Sequence, residues 1–346
     1  MEYAIDQEYL LKTMEEFINT PSPVGYYDEV NPLLVRYAAA LGYEVEFDNK
    51  KTGYIKIPGK DASKTICVGA HLDTLGLMVR RIDKDGMIRT RNLGGVNYNT
   101  VEGETATVVT RDGRRYTGLL ASQSHSVHVF DDARTLERNE NTMIFILDEK
   151  VSSEGDVRAL GIRHGDVIWL EPHFTVTPSG FIKSRFIDNK ACVACALAVV
   201  KFMKDKGLAP SCNVWFAFPH YEEINHGGSY VPAKVSQYVA LDIALVGPDY
   251  DGREDKVSIC VKDNFSPYDR ELTSRLIDVA GRIGLDFAVD IFYRYGTDAN
   301  AAVRAGNNIQ AAAFGMGTFS SHGMERTHVD GVMDTARLLA AFLTEG

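Results

Sequence analysis

One interruption in the pattern of secondary structure constrains the fold of this chain more than any other feature. Up to about residue 75, helix-like and strand-like segments alternate, as expected of an α/β layer. From Leu77 to Pro172 the sequence has short strand patterns and no convincing helix, with hairpin turn signals at Asp85-Gly86 and Asp112-Gly113. The α/β pattern then returns at Phe181.

This interruption predicts two domains. We expect an α/β domain with helices flanking a mixed sheet, formed by residues 1–75 and 173–346, and an all-β, barrel-like domain inserted at 76–172. A long β excursion of the same sheet is the alternative to a separate insert.

The α/β parts contain recognisable helices and strands. The predicted helices are 6–20, 29–41 with Gly42 as a C-terminal cap, 190–206, 269–282 and 332–343. The predicted strands of these parts are 43–47, 54–57, 65–70, 213–218, 238–246, 256–261 and 309–314.

Charge and composition exclude several classes of partner. The formal net charge of −10 argues against nucleic acid or an anionic membrane as the main partner, because both need a basic face. The longest apolar run, Ala191 to Val200, is too short to span a bilayer, and the acidic start MEYAIDQEYL lacks a secretory signal core. Five cysteines without disulfide-framework spacing favour a reducing, cytoplasmic setting.

A candidate for chemistry lies where the apolar run that begins at Cys67 ends in His71-Leu72-Asp73. Residues two apart in a strand point to the same side, so His71 and Asp73 leave the strand together. An imidazole beside a carboxylate suits a metal ligand and the group that orients it.

Further candidates occur later in the chain, most of them at or just past the end of an apolar strand, with Asp242 as the exception because apolar residues flank it on both sides. They are Asp188, Glu222, Glu223, Asp242 and either His322 or His328. Each has an ordinary structural explanation: a lone histidine is usually only hydrogen-bonded, Asp188 could cap a helix, and the glutamate pair could be a solvated loop. Asp242 is harder to dismiss, because a carboxylate within an apolar strand is costly to bury unless it is paired or binds a metal.

Taken together, these side chains form a set of imidazoles and carboxylates without a thiolate. Such ligands suit zinc, cobalt or manganese. One shared carboxylate would allow two metals to lie about 3.5–4 Å apart and activate a bridging water, with a remaining carboxylate as general base.

An ordered series of motifs makes a resemblance specific. The chain contains AHLDTLG, SRFIDNKACVA, a Glu-Glu pair, an aspartate in the next strand, GTDANAA and GMERTHVD in that order. It resembles the co-catalytic metallo-aminopeptidases of the tetrahedral (TET) type, a family that includes glutamyl, leucyl and deblocking aminopeptidases. The resemblance spans nearly the whole chain and implies a zinc-exopeptidase-like fold.

The resemblance also implies roles for these residues. His71 and Asp242 would ligate one metal, Glu223 and His328 the other, with Asp188 between them. Glu222 would be the general base, and Asp73 would hold the His71 ring. The implied cofactors are two divalent ions per chain, zinc or cobalt with manganese as a further option.

The sequence departs from the family pattern in three places. The segment Ile224 to Gly228 is longer than the expected glycine turn, so that His226 could crowd or assist the site. Asp249 is an alternative ligand, and His322 competes with His328. We prefer His328 because it follows Arg326 closely and precedes the closing helix, as the last ligand does in the family.

The sequence therefore predicts an aminopeptidase that removes amino-terminal residues from peptides through a water bridging two metals. By resemblance, the insert would carry dimer contacts, and dimers would assemble into a hollow dodecamer. Two further functions stay open: a hydrolase of small blocked or amide-capped peptides, and a non-catalytic assembly protein on the same fold. Glycoside hydrolysis by two carboxylates would leave the two histidines without a role.

Overall fold

The computed structural model describes residues 3–345 and contains an α/β domain interrupted by a β-barrel. The first α/β segment consists of α1 (Gln7–Ile18), α2 (Val30–Ala40), β1 (Glu46–Phe47), β2 (Gly53–Ile57) and β3 (Asp61–Gly69). The side chain of Asp6 caps the start of α1, and Gly42 follows α2 with a φ of +81°, so both helix ends occur where the sequence predicts them.

The inserted barrel follows directly. Its elements are β4 (Gly76–Ile82), β5 (Ile88–Leu93), β6 (Thr105–Val109), β7 (Arg115–Ser122), β8 (Met143–Leu147), α3 (Glu154–Ala159) and β9 (Val167–Leu170). The six strands close in the order β4-β5-β8-β7-β6-β9 with antiparallel pairing throughout, which confirms the predicted barrel. The expectation of no helix in this segment is wrong, because Ser153 caps the short helix α3.

The chain then returns to the α/β domain. Its remaining elements are β10 (Thr175–Val176), β11 (Phe181–Ser184), α4 (Ile187–Asp205), β12 (Cys212–Phe218), β13 (Gln237–Leu241), β14 (Ala244–Leu245), β15 (Val257–Lys262), α5 (Arg270–Arg282), β16 (Phe287–Ile291), α6 (Asp298–Arg304), β17 (Gln310–Thr318), β18 (Glu325–His328) and α7 (Val329–Glu345). The predicted strand 238–246 is broken into β13 and β14, and β16, α6 and β18 lie where no element was predicted.

A nine-stranded mixed sheet forms the centre of the α/β domain. Its order is β1-β2-β12-β3-β13-β17-β15-β16, with β14 beside β17, and β10-β11-β18 form a small separate sheet. The four neighbours β12, β3, β13 and β17 run parallel. Their carboxyl ends therefore reach the same edge of the sheet, where sites form in α/β proteins.

The helix α4 anchors this domain. Every residue from Ile187 to Val200 is buried, and α4 packs between α1 and α7. A helix that is apolar on all sides belongs in a core. Burial of side chains such as Leu197 contributes about 1.5–3 kcal/mol each, which holds the start of α4 firmly against the sheet. No helix within residues 3–345 is long and apolar enough to cross a bilayer.

Candidate metal centre

The carboxyl edge of the sheet gathers most of the predicted residues. His71 follows β3, the Glu222-Glu223 pair follows β12, and Asp242 follows β13. Asp242 does not lie inside a strand, because the chain breaks at this residue, where the Ile243 amide donates to its side chain at 2.8 Å. Asp242 lines the cavity although it is only 5% exposed.

Asp188 lies between two imidazoles. Its Oδ1 is 3.1 Å from Nε2 of His71, and its Oδ2 is 3.7 Å from Nε2 of His322. Asp188 is at the start of α4 but has a non-helical ψ of 104°, and the peptide bond to Asn189 is cis. Its two oxygens face different imidazoles, as a shared ligand requires.

The two imidazoles are oriented in the same way. Nδ1–H of His71 donates to the Asp73 carbonyl at 3.0 Å, and Nδ1–H of His322 donates to the Gly95 carbonyl of the barrel at 3.0 Å. This assignment leaves Nε2 of each ring directed toward Asp188, where it can donate its lone pair to a cation once it is deprotonated. A second hydrogen bond of this kind is what fixes the tautomer of metal-binding histidines.

His328, the histidine preferred on sequence grounds, does not join this group. It ends β18, where it pairs with Phe181 of β11. Its Nε2–H donates to the Ser179 carbonyl at 2.8 Å, and its Nδ1 accepts from the Asp330 amide at 3.1 Å. Both ring nitrogens are thus engaged elsewhere, which corrects the preference for His328 over His322.

Asp73 contacts more than the His71 ring. Its Oδ1 is 3.5 Å from Nδ1 of His71, while its two oxygens accept from the amides of Glu222 and Glu223 at 3.2 and 3.1 Å. This fully buried carboxylate therefore fixes the backbone of the glutamate pair as well as lying beside the ring. Glu222 comes within 3.7 Å of Nε2 of His71, and Glu223 within 3.5 Å of Nε2 of His322.

The cluster carries an excess of negative charge. Burial, together with neighbouring carboxylates, raises the pKa of Glu222, Glu223 and Asp242 well above the ordinary range. Burial acts to lower the pKa of His71, but hydrogen bonds to Asp188 and Asp73 outweigh it and raise that pKa. The arrangement favours any species that brings positive charge.

The donor set fits a divalent cation. Donor atoms of His71, Asp188 and Glu223 lie within 4.8 Å of one another. Within residues 3–345, no lysine or arginine forms an ion pair with these carboxylates, with Glu222 or with Asp242. Imidazole nitrogens and carboxylate oxygens without a thiolate suit zinc, cobalt or manganese.

Three contributors were missed on sequence grounds. Glu325 accepts from the amides of Asp188 and His322, both at 3.0 Å, and so joins the two segments on which those residues lie. Burial and the charge of Asp188 raise the pKa of Glu325 to about 8. Asp298 and Lys50 hold the chain after the glutamate pair. Glu325 and Asp298 lie in the motifs GMERTHVD and GTDANAA. The sequence singled out both motifs but assigned no role to these two residues.

Asp249 and His226, which the sequence left open as a ligand and as a neighbour of the site, lie outside the cluster. Asp249 is exposed and accepts from the Tyr293 hydroxyl at 3.0 Å. His226 is exposed and stacks on the Tyr221 ring, with centroids 5.0 Å apart. Neither side chain contacts Asp188 or His71.

A cavity of about 840 Å³ opens onto the cluster. The barrel contributes Asn92 and Asn97 to its walls, and the α/β domain contributes Phe265 and Arg294. The volume is that of a site for a small molecule or a peptide end.

Comparison with known proteins places this geometry in context. The family model of the M42 glutamyl aminopeptidases matches residues 52–338. The chain is 38% identical over 336 residues to YhfE of Bacillus subtilis (strain 168), named a candidate aminopeptidase, with 95% of this chain and 96% of that protein covered.

Solved structures share the fold. Aminopeptidase APDkam598 of Desulfurococcus kamchatkensis superposes with a TM-score of 0.88 at 19% identity, covering 98% of this chain and 96% of that one. The TET1 peptidase of Pyrococcus horikoshii, which can assemble into a tetrahedron or a large octahedral shell, gives a TM-score of 0.86 at 20% identity, covering 97% and 100%. At these identities the likeness shows the fold alone.

Proposed function

Because the chain belongs to the M42 glutamyl aminopeptidase family and is a metal-dependent aminopeptidase, we propose that two divalent cations bind on either side of Asp188. His71 and Asp242 would hold one cation, and Glu223 and His322 the other. The observation that carries this proposal is the position of Asp188 between Nε2 of His71 and Nε2 of His322, 3.1 and 3.7 Å away. His322 takes the place that sequence reasoning gave to His328.

Bound cations of this kind, zinc or cobalt with manganese as a further option, polarise a scissile carbonyl and lower the pKa of water. Glu222 accepts the proton from the attacking water and returns it to the leaving amine. Its carboxylate lies 3.7 Å from Nε2 of His71, and Asp73 holds its backbone amide, so the residue that carries the base is anchored before the reaction begins. The acidic cavity attracts the cationic amino group of a peptide.

Replacement of the base tests this mechanism. Glu222→Gln removes the proton acceptor while keeping side-chain size, so we expect kcat on aminoacyl-anilides to fall about 10²–10⁴-fold. Cation content, measured by elemental analysis after loading with zinc, cobalt or manganese in turn, should stay that of the wild type. The matched control is Glu271→Gln on the exposed face of α5, which should change neither quantity.

Two outcomes would contradict the proposal. If the Glu222→Gln variant stays fully active, Glu222 is not the general base. Equal hydrolysis of a peptide and its N-acetylated form would favour a hydrolase of blocked peptides over an aminopeptidase, because the acetyl group abolishes the amino-terminal charge.

Assembly is the second part of the proposal. The barrel exposes apolar side chains at Leu119, Val127 and Val129, which are 42%, 53% and 67% exposed and which a second copy could cover. We infer that the barrel is the dimerisation domain of a homo-oligomer in which dimers form a dodecamer. Light scattering on the purified protein should give about 460 kDa, twelve times the 38.3 kDa chain. A monomer at micromolar concentration would contradict this.

The five cysteines bear on the compartment. All are buried and free. Thiols of this kind persist in a reducing environment, which supports a cytoplasmic location.

A further inference from the structure

The motif GTDANAA contains a buried carboxylate for which the mechanism above has no use. Asp298 is the first residue of α6 and is only 4% exposed. Its Oδ1 accepts a hydrogen bond from the Gly228 amide, while its buried Oδ2 has no hydrogen-bond partner within residues 3–345. A buried acid with one unpartnered oxygen is costly, so a structural or functional gain must offset it.

The segment that Asp298 contacts follows Glu222, the proposed general base, and Glu223, a proposed cation ligand. After Glu222 and Glu223 the chain bends back, with the Asn225 amide donating to the Glu222 carbonyl at 2.6 Å. It then passes over Asp298 so closely that a Cβ on Gly228 would lie 2.2 Å from the Asp298 carbonyl oxygen. Only glycine allows this approach.

A lysine also holds this segment. Nζ of Lys50 donates to the His226 carbonyl, to the Gly227 carbonyl at 3.3 Å and to the Ser229 hydroxyl at 3.0 Å. Residues 226–229 are therefore held by an ammonium that binds two of their carbonyls and by a carboxylate that binds the Gly228 amide. The polarity of each contact matches the backbone group that faces it.

We propose that Asp298 is a positioning residue for the general base, an inference that rests on the role proposed for Glu222. By holding the Gly228 amide, Asp298 fixes the far end of the bend that starts at Glu222. Asp73 fixes the near end through the Glu222 and Glu223 amides. The carboxylate of Glu222 is thereby kept beside His71. Loss of the hydrogen bond between Asp298 and the Gly228 amide would allow this carboxylate to move away from His71.

Two substitutions at Asp298 separate the hydrogen bond from the charge. Asp298→Ala removes the acceptor, so we expect kcat to fall about 10–100-fold, with KM and cation content close to the wild type, since a 1 Å displacement can cost ~100-fold. Asp298→Asn keeps an amide oxygen that can accept from Gly228 and should restore kcat to within about threefold. In cation-free protein, amides of residues 222–229 should exchange hydrogen faster in the alanine variant than in the asparagine variant.

An exposed aspartate on α5 provides the control for the Asp298 variants. Asp278→Ala should leave kcat and exchange unchanged. The proposal is overturned if Asp298→Asn is as impaired as Asp298→Ala, or if Asp298→Ala matches the wild type. Should Asp298→Ala not fold, Lys50→Met decides, with faster exchange and lower kcat expected and no change overturning the idea. Hydrogen exchange reports the position of residues 222–229 whether or not Glu222 is the general base. A failure of the role proposed for Glu222 can therefore be told apart from a failure of the role proposed for Asp298.

Discussion

A buried ion pair joins the barrel to the strand that leads to Asp188, and its removal should be costly. Glu104 precedes β6 in the barrel, and Arg185 lies three residues before Asp188. Their side chains are 9% and 5% exposed, and Oε2 of Glu104 accepts from Nη2 of Arg185 at 2.7 Å and from Nε at 3.1 Å. Oε1 of Glu104 faces Nε2 of His173 at 2.7 Å.

Glu104→Gln would leave the guanidinium buried against a neutral amide. Breaking one partner of a buried pair costs about 3–5 kcal/mol. We expect the lower end, about 3 kcal/mol, because Nη2 of Arg185 keeps its hydrogen bond to the Thr100 carbonyl. Chemical denaturation should report this fall in the free energy of unfolding, and Tm should drop on the order of 4 °C. Cation affinity should weaken too, because the strand leading to Asp188 loses its anchor.

The same substitution two residues away provides the control. Glu102 pairs with Arg138 at 2.8 Å, but its side chain is 35% exposed. Exposed pairs contribute about 0–1 kcal/mol, so Glu102→Gln should be nearly neutral. If Glu104→Gln costs no more than Glu102→Gln, the reasoning that burial gives the junction its strength is wrong.

Three further predictions concern the cluster and its surroundings. Asp188→Asn should lose both cations, and retention of two equivalents in elemental analysis would contradict its place between them. His322→Ala should lower cation content and His328→Ala should not; the reverse pattern would restore the sequence-based choice. Burial acts to raise the pKa of Glu104, but hydrogen bonds from His173 and Arg185 outweigh it and lower that pKa. Its stabilisation is therefore present above the unfolded value near ~4.3 and lost as pH falls through the lower folded value, so the difference between wild type and Glu104→Gln should shrink in denaturation series taken below about pH 4.

The positions of most cluster residues could be predicted because they follow strands. An apolar run that ends in polar residues marks the carboxyl end of a buried strand, and parallel neighbours bring such ends together. This reasoning succeeds for His71 and for the glutamate pair, which lie after the adjacent parallel strands β3 and β12. It did not place Asp242, which was predicted inside a strand and instead follows the neighbouring strand β13. It needs no knowledge of side-chain contacts.

The sequence-based preference for His328 over His322 is at odds with the structure because the pairing of β18 with β11 could not be predicted. β18 has only four residues, and its sequence Glu-Arg-Thr-His has no apolar alternation to mark a strand. Its register with β11 turns His328 toward Ser179 and away from the cluster. Pairing between segments that are distant in the sequence cannot be read from local periodicity, and neither can the hydrogen bonds from Glu325 to Asp188 and His322.

Strained backbone conformations are a further feature that the sequence did not predict, and most of them lie at the same edge of the sheet. Among residues 3–345, seven residues other than glycine have a positive φ, and five of them border the cluster: Phe186, Tyr221, Asn225, Ser320 and His322. Each such conformation costs about 1 kcal/mol or more and has no local sequence signal in a bulky residue.

Two buried carboxylates hold the strained bends in place. Asp73 accepts from both glutamate amides, and Glu325 accepts from the amides of Asp188 and His322. Asp73 adds negative charge to a cluster that already repels itself, and burial with the charge of Asp188 raises the pKa of Glu325 to about 8. The bends are therefore held at an electrostatic cost that bound cations would offset. Binding to the folded state alone stabilises it, and we therefore expect chelation to loosen residues 186–188, 221–225 and 320–322 before the core around α4. Hydrogen exchange that begins elsewhere would contradict this link between strain and charge.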